Sequence, residues 1–268
     1  MTKNIILYRG IDFEKDELEF ASEFFTCTKR RPHIKSGDFV IGRYSMLPFY
    51  SDQVKDIKYV GASVINDYNK HLYAADLQNY VYDLKELTPQ TWNNLMDLPD
   101  NCAFVLKGET NSRKSNWLKD MYAADKKSAI EVYNRLSSDS LIGYQQIYIR
   151  KYIPLHKYMD GINGMPVTKE FRFFVAYGKV LCGDFYWQNY IDDMDHKPNA
   201  NEVPRDFLQK VIDRVDNQCN FYTIDVAQCE NGEWIVIELN DGQQAGLSCN
   251  SPYELYKNLA SVIPNEKF

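Results

Sequence analysis

The stretch Phe221-Tyr-Thr-Ile-Asp-Val-Ala-Gln-Cys-Glu-Asn-Gly-Glu-Trp-Ile-Val-Ile-Glu-Leu-Asn240 decides how this chain is read. Asn231-Gly232 is the strongest short-range hairpin signal a sequence offers, because a type I′ turn needs positive φ at both central residues. With those two as the loop, Glu230 faces Glu233, Ala227 faces Val236, Asp225 faces Glu238 and Thr223 faces Asn240. The other parity (Ile224, Val226, Ile235, Ile237, Leu239) is apolar and is expected against a core. A longer turn with a bulge is the rival register, and it would separate the two carboxylates.

Opposed carboxylates are unfavourable by themselves. Directly paired Cβ atoms lie about 4.5–5.5 Å apart, and like charges there destabilise a sheet. At an effective dielectric of about 20 they repel by roughly 3 kcal/mol. A hard divalent cation reverses that sign, and Mg²⁺ favours one or two carboxylates together with substrate phosphates. The plain alternative is an exposed hairpin whose charges splay into water.

The remaining composition narrows the classes. At 268 residues the chain suffices for one large domain or two to three lobes. A formal charge of −6 argues against generic nucleic-acid binding through a basic surface. The six cysteines (27, 102, 182, 219, 229, 249) show no Cys-x-x-Cys spacing, so a zinc site is not expected and reduced thiols are. His33, His71, His156 and His196 are isolated, which favours core or surface roles. No stretch approaches the roughly 20 apolar residues of a membrane span, and the reading is of a soluble, cytosolic protein.

Along the chain, strands are expected at Ile5–Tyr8, Asp38–Tyr44 and Val60–Ile65. Helices are expected at Glu14–Phe25, about His71–Leu77 and within Leu84–Asp97. That alternation implies an α/β lobe over residues 1–98. Cys102–Lys107 reads as a strand before a polar loop. A helix follows at Lys126–Leu136 with Asp125 as N-cap and Ile130, Val132, Tyr133 and Leu136 as its stripe, then a strand at Ile142–Tyr148. Residues 99–154 thus suggest a small lobe closing over something. Residues 155–268 read as largely antiparallel: a strand from Glu170 turning at Tyr177-Gly178, a helix at Arg205–Gln218, the Asp225/Glu238 hairpin, and a closing helix at Tyr253–Val262. The fold class is α/β (α+β).

Four features fall at strand ends: Lys107, Arg172, the Asp225/Glu238 pair and Asn240. A lysine reaches phosphate as a point charge and an arginine as a rigid fork. The plain readings are a solvated Lys107 and an Arg172 paired with Glu170, which shares its face. Gly42-Arg43-Tyr44 offers another strand-end arginine, either forked onto a substrate carboxylate or held in a structural ion pair.

Together these motifs resemble the ATP-grasp superfamily from about Val40 onward, in particular a bacterial and phage clade in which arginines replace some usual lysines. Members commonly end with an aspartate and then Glu-x-Asn on the next strand, all holding magnesium; Asp225, Glu238 and Asn240 match in type and spacing. Phe104-Val-Leu-Lys107-Gly resembles the strand with an ATP-binding lysine, and Glu170-Phe-Arg172 resembles the strand whose arginine meets the phosphates. Gln146–Ile153 is similar to the interlobe hinge. The resemblance therefore implies Arg150, Lys151, Tyr152 and Ile153 at the nucleotide, and Arg113 and Lys114 in the glycine-poor loop after Lys107 as further phosphate contacts. Arg43 would meet the acceptor.

What the resemblance implies is a Mg²⁺- and ATP-dependent ligase. It would phosphorylate a small-molecule or peptide carboxylate to an acylphosphate, release ADP, and join the acyl group to an amine or similar nucleophile, with Lys107 and Arg172 as catalytic groups. A phosphotransferase and a non-catalytic ATP-binding module are alternatives on the same fold. A nucleic-acid ligase that adenylylates its own lysine fits poorly, since Lys107-Gly-Glu lacks a Lys-x-Asp-Gly order. Neither a nucleic-acid nor a membrane partner is expected.

Overall fold

The computed structural model describes residues 3–9, 15–44 and 48–264, in a mixed α/β architecture of three four-stranded sheets and one small two-stranded one. The N-terminal sheet is parallel, in the order Thr26–Thr28, Asn4–Leu7, Phe39–Gly42, Ser63–Val64. The middle sheet is antiparallel, in the order Thr91–Trp92, Ile147–Lys151, Phe104–Gly108, Tyr122–Ala123. The C-terminal sheet, also antiparallel, runs Lys179–Phe185, Glu170–Ala176, Phe221–Gln228, Trp234–Asp241.

Alternation along these strands builds both cores and walls. Phe104 and Leu106 pack into the middle lobe with Val132, Leu136, Ile147 and Ile149, which turns Val105 and Lys107 to the other face. The C-terminal sheet buries Phe173, Val175, Ile224, Val226 and Val236 beneath Leu208, Val211, Ile212 and Val215 of the Arg205–Val215 helix. The Pro252–Val262 helix joins the lobes: Leu255, Tyr256 and Leu259 pack with Ile6, Ala21 and Ile41 on one side and Phe174 and Phe221 on the other.

The decisive hairpin keeps its central pair by an indirect route. Its loop is three residues rather than two: Gly232 N–H donates to Cys229 O at 2.9 Å, Cys229 N–H to Glu233 O at 2.7 Å. Gly232 has φ +88°, while Asn231 does not reach positive φ. This is a type I turn followed by a left-handed glycine, and it shifts the register by one. Ala227 therefore faces Ile235 and not Val236, and Glu230 and Glu233 are not a cross-strand pair. A second irregularity at Ile237 then inserts one unpaired residue and restores Asp225 opposite Glu238 and Thr223 opposite Asn240. Because of that bulge, Ile235 and Ile237 leave the expected core face and Val236 takes their place. The type I′ geometry occurs instead at Tyr177-Gly178, with φ values of +49° and +70°.

Other expectations need adjustment. No helix spans Leu84–Asp97: Pro89 interrupts it, and Trp92 packs edge-on against Phe104 as Thr91–Trp92 pairs with Ile149 and Arg150. That strand precedes residue 99 yet belongs to the middle sheet. The Lys126–Ser137 helix has its expected Asp125 cap, accepting from Ser128 N–H at 2.7 Å, but Ala129 completes the stripe and Ile130 is exposed. The Ile142–Tyr148 strand begins later, at Ile147. The Tyr50–Tyr59 helix had no counterpart in the sequence reading, and the first helix is described from Lys15, Glu14 lying outside the described residues.

Candidate active site

The middle and C-terminal sheets face each other across a cavity of about 270 Å³. One wall is Val105, Lys107 and Arg150; the other is Ile235, Ile237, Glu238, Thr168 and Glu170. Lys151, Tyr152 and Ile153 line the end where the chain passes between the lobes.

At the opposite end each acid of the hairpin meets a cation. Arg172 lies directly across from Asp225 on the neighbouring strand and forks onto it, Nε to Oδ1 at 2.8 Å and Nη2 to Oδ2 at 2.7 Å. Its Nη1 reaches Gly246 O at 2.9 Å. Lys107 crosses from the middle sheet to Glu238 Oε2 at 2.5 Å, while Asn240 Nδ2 donates to Glu238 Oε1 at 3.1 Å. The expected Arg172–Glu170 pair is therefore replaced by Arg172–Asp225.

These contacts set the charge states. Burial opposes ionisation of Glu238, yet Lys107 and Lys114 outweigh it and hold the carboxyl well below the usual range. Burial also opposes the Arg172 charge, and Asp225 more than compensates. Glu170, 3 % exposed, has no such partner: burial pushes its carboxyl up to about 7, against the pull of Lys114. Its Oε1 accepts no hydrogen bond.

Of the loop residues, Lys114 reaches the cavity and Arg113 does not. Lys114 Nζ donates to the Tyr186 hydroxyl at 2.6 Å and lies 4.3 Å from that ring's centroid, with Trp187 behind it. Arg113 forks onto Asp139, Nε to Oδ2 at 2.8 Å and Nη2 to Oδ1 at 2.5 Å, at the outside of the middle lobe. The expectation of a phosphate contact from Arg113 is thus corrected by its ion pair.

Arg43 also moves from the candidate substrate contact to the scaffold. It is buried and donates to Glu17 at 2.7 Å, Tyr256 OH at 3.1 Å, Ala245 O at 3.2 Å and Gly242 O. Its charge fixes the loop that follows Asn240 onto the N-terminal lobe. Arg150 stands on the cavity wall, but its two Nη groups are bonded to Ile237 O and, at 2.7 Å, to Thr88 Oγ1. Glu170 was legible only as the residue sharing a face with Arg172. Tyr186, Trp187, Ile235 and Ile237 carried no sequence signal for the cavity.

The donor set fits magnesium. Among the described residues no group of three or more His, Cys, Asp or Glu side chains is arranged to hold a metal. Two carboxylates and one amide on a single face instead suit a hard cation that takes its remaining ligands from phosphate and water. That two of the chain's own cations sit on these oxygens shows how strongly the face attracts positive charge. No helix among the described residues is long and apolar enough to cross a membrane.

A family model described as ATP-grasp domain, R-to-K clade family 3, matches residues 60–259. Among solved structures the chain is similar to D-cycloserine synthetase DcsG, with TM-score 0.62, 14% identity, and coverage of 97% of this chain and 99% of that one. It is similar to ATP-grasp ligase PsnB complexed with minimal precursor, with TM-score 0.59, 11% identity and coverage of 97% and 99%. A RimK domain protein ATP-grasp from Sphaerobacter thermophilus DSM 20745 gives TM-score 0.59, 13% identity and coverage of 98% and 99%. At these identities the likeness is one of fold. No curated protein matches the sequence.

Proposed function

The chain belongs to the ATP-grasp family, R-to-K clade family 3, and from that membership we propose that it is an ATP-dependent ligase joining a carboxylate to an amine or similar nucleophile. The observation that carries the reading is the cavity end where Asp225 and Glu238 stand in register with Arg172 and Lys107 on their oxygens. A carboxylate oxygen of the acceptor attacks the γ-phosphorus and ADP leaves, giving an acylphosphate. The nucleophile then attacks the acyl carbon and phosphate leaves.

The protein's part is positioning and charge neutralisation rather than covalent chemistry. Lys151, Tyr152 and Ile153 hold the base end, with Val105, Ile235 and Ile237 as apolar walls. Lys107 and Lys114 meet the phosphates, and Arg172 stands beside them on the Asp225 side. Asp225, Glu238 and Asn240 would hold magnesium, which when bound neutralises the charge spread over the transferring phosphoryl group. Related folds are described with a small-molecule synthetase and with a peptide precursor, so either class of acceptor suits the reading.

The test is Mg²⁺-ATP turnover against pooled amino acids, small peptides and carboxylates. ADP and phosphate release that depends on the pool, and falls by about 10²-fold or more in Glu238→Gln, is the expected result. Release of AMP would reject the acylphosphate route. A stable phosphorylated product needing no nucleophile would make the protein a phosphotransferase.

A further inference from the structure

The bulge at Ile237 is what brings Glu238 opposite Asp225, and nothing within the hairpin holds it. A bulge strands backbone groups that the ladder would otherwise pair, and those groups need partners. Here all the partners come from elsewhere. Val236 N–H donates to Leu87 O at 2.6 Å, and Thr88 Oγ1 donates to Val236 O at 2.9 Å. Arg150, from the middle sheet, donates Nη1 to Ile237 O and Nη2 to Thr88 Oγ1, at 2.7 Å for the latter.

We infer that Arg150 is a positioning residue: its fork pins the Ile237 bulge and so sets the register in which Asp225 and Glu238 share one metal. The inference rests on the proposed metal role of those two acids. Arg150 is 6 % exposed and has no carboxylate within ion-pair distance among the described residues. Burying a guanidinium without such a partner is unfavourable, and burial does pull its pKa down. A merely structural arginine would gain by acquiring an acid; this one is aimed at two oxygens of the bulge clamp. Only a planar fork reaches both at once, so lysine is not equivalent. Because Arg150 belongs to the sheet that also carries Lys107, the metal carboxylates are registered by the lobe opposite them.

The experiment uses Mn²⁺ as probe and a non-hydrolysable ATP analogue, with free Mn²⁺ read by electron paramagnetic resonance. Arg150→Met is expected to lower Mn²⁺ affinity of the protein–nucleotide complex about 10–100-fold, as loss of an outer-shell partner does. Nucleotide affinity measured in EDTA should be unchanged, and Arg150→Lys should fall between. Deleting Ile237 supplies the second arm: Val236 and Glu238 become neighbours but keep Val226 and Asp225 as partners, so adding Arg150→Met should cost no further Mn²⁺ affinity. Equal loss of nucleotide affinity in EDTA would make Arg150 a direct nucleotide contact and overturn the inference. So would an undiminished effect in the deletion background. If the deletion fails to fold, the split between metal and nucleotide affinity decides alone. Absence of Mn²⁺ binding to the wild-type complex would overturn the inference together with the metal assignment, whereas absence of ligase turnover alone would leave it standing.

Discussion

Two cation–carboxylate pairs lie side by side in the cavity, and they are built differently. Arg172–Asp225 joins adjacent strands of one sheet through two parallel hydrogen bonds, with side chains 9% and 0% exposed. Lys107–Glu238 spans two sheets through one contact, with side chains 14% and 18% exposed. The first is part of the scaffold and cannot open without disturbing the sheet. The second is a point contact between lobes that a phosphate and a metal can take apart, the phosphate drawing Lys107 and the metal drawing Glu238.

The largest expected effect breaks the scaffold pair. Arg172→Ala leaves Asp225 buried and uncompensated, and should lower unfolding free energy in denaturant by about 3–5 kcal/mol. Lys107→Met should lower it by less than about 1 kcal/mol. Equal losses would erase the distinction. Arg43→Ala, which orphans Glu17, should resemble Arg172→Ala in stability, but its remaining folded fraction should bind the ATP analogue with unchanged affinity.

Glu170 sharpens the comparison as the acid of the same face with no cation on it. Its folded pKa of about 7 lies above the ordinary 4.5, so between those values the folded state holds a proton that the unfolded state has lost. Stability therefore falls as pH rises from about 4.5 through 7, by about 2–3 kcal/mol, and then levels off. Glu170→Gln removes that decline: thermal unfolding should be nearly the same as wild type at pH 5 and markedly later at pH 8. Parallel curves for the two proteins would mean Glu170 is ionised in the fold.

The smallest effect concerns the movable pair. With no nucleotide present, Lys107 competes with metal for Glu238, so Lys107→Met should raise Mn²⁺ affinity about tenfold, or 1.4 kcal/mol. No change would mean that Lys107 does not guard the carboxylate.

The sequence made the chemistry of this face legible, because period-two alternation and the Asp225…Glu-x-Asn240 spacing are local properties. It did not reveal how the register arises. The Asn231-Gly232 turn and the Ile237 bulge each shift pairing by one residue, and their cancellation depends on Leu87, Thr88 and Arg150, remote in sequence. Local turn chemistry was also misleading in detail: the type I′ turn forms at Tyr177-Gly178, where strand packing holds a tyrosine at positive φ. Arg43 and Arg113 failed as ligand contacts for a similar reason. Their acids, Glu17 and Asp139, are 26 residues away in each case and meet them only once helices and turns have packed. Lys114 was legible as charge, but its seat over Tyr186 was not, since that ring comes from another sheet.

The central claim is that this face holds a metal–nucleotide complex, and a crystal structure with Mg²⁺ and a non-hydrolysable ATP analogue tests it most directly. The account predicts the base against Lys151–Ile153, magnesium on Asp225, Glu238 and Asn240, and Lys107 moved from Glu238 to phosphate. A nucleotide bound outside the cavity, or a Lys107–Glu238 pair left intact beside bound nucleotide, would contradict it.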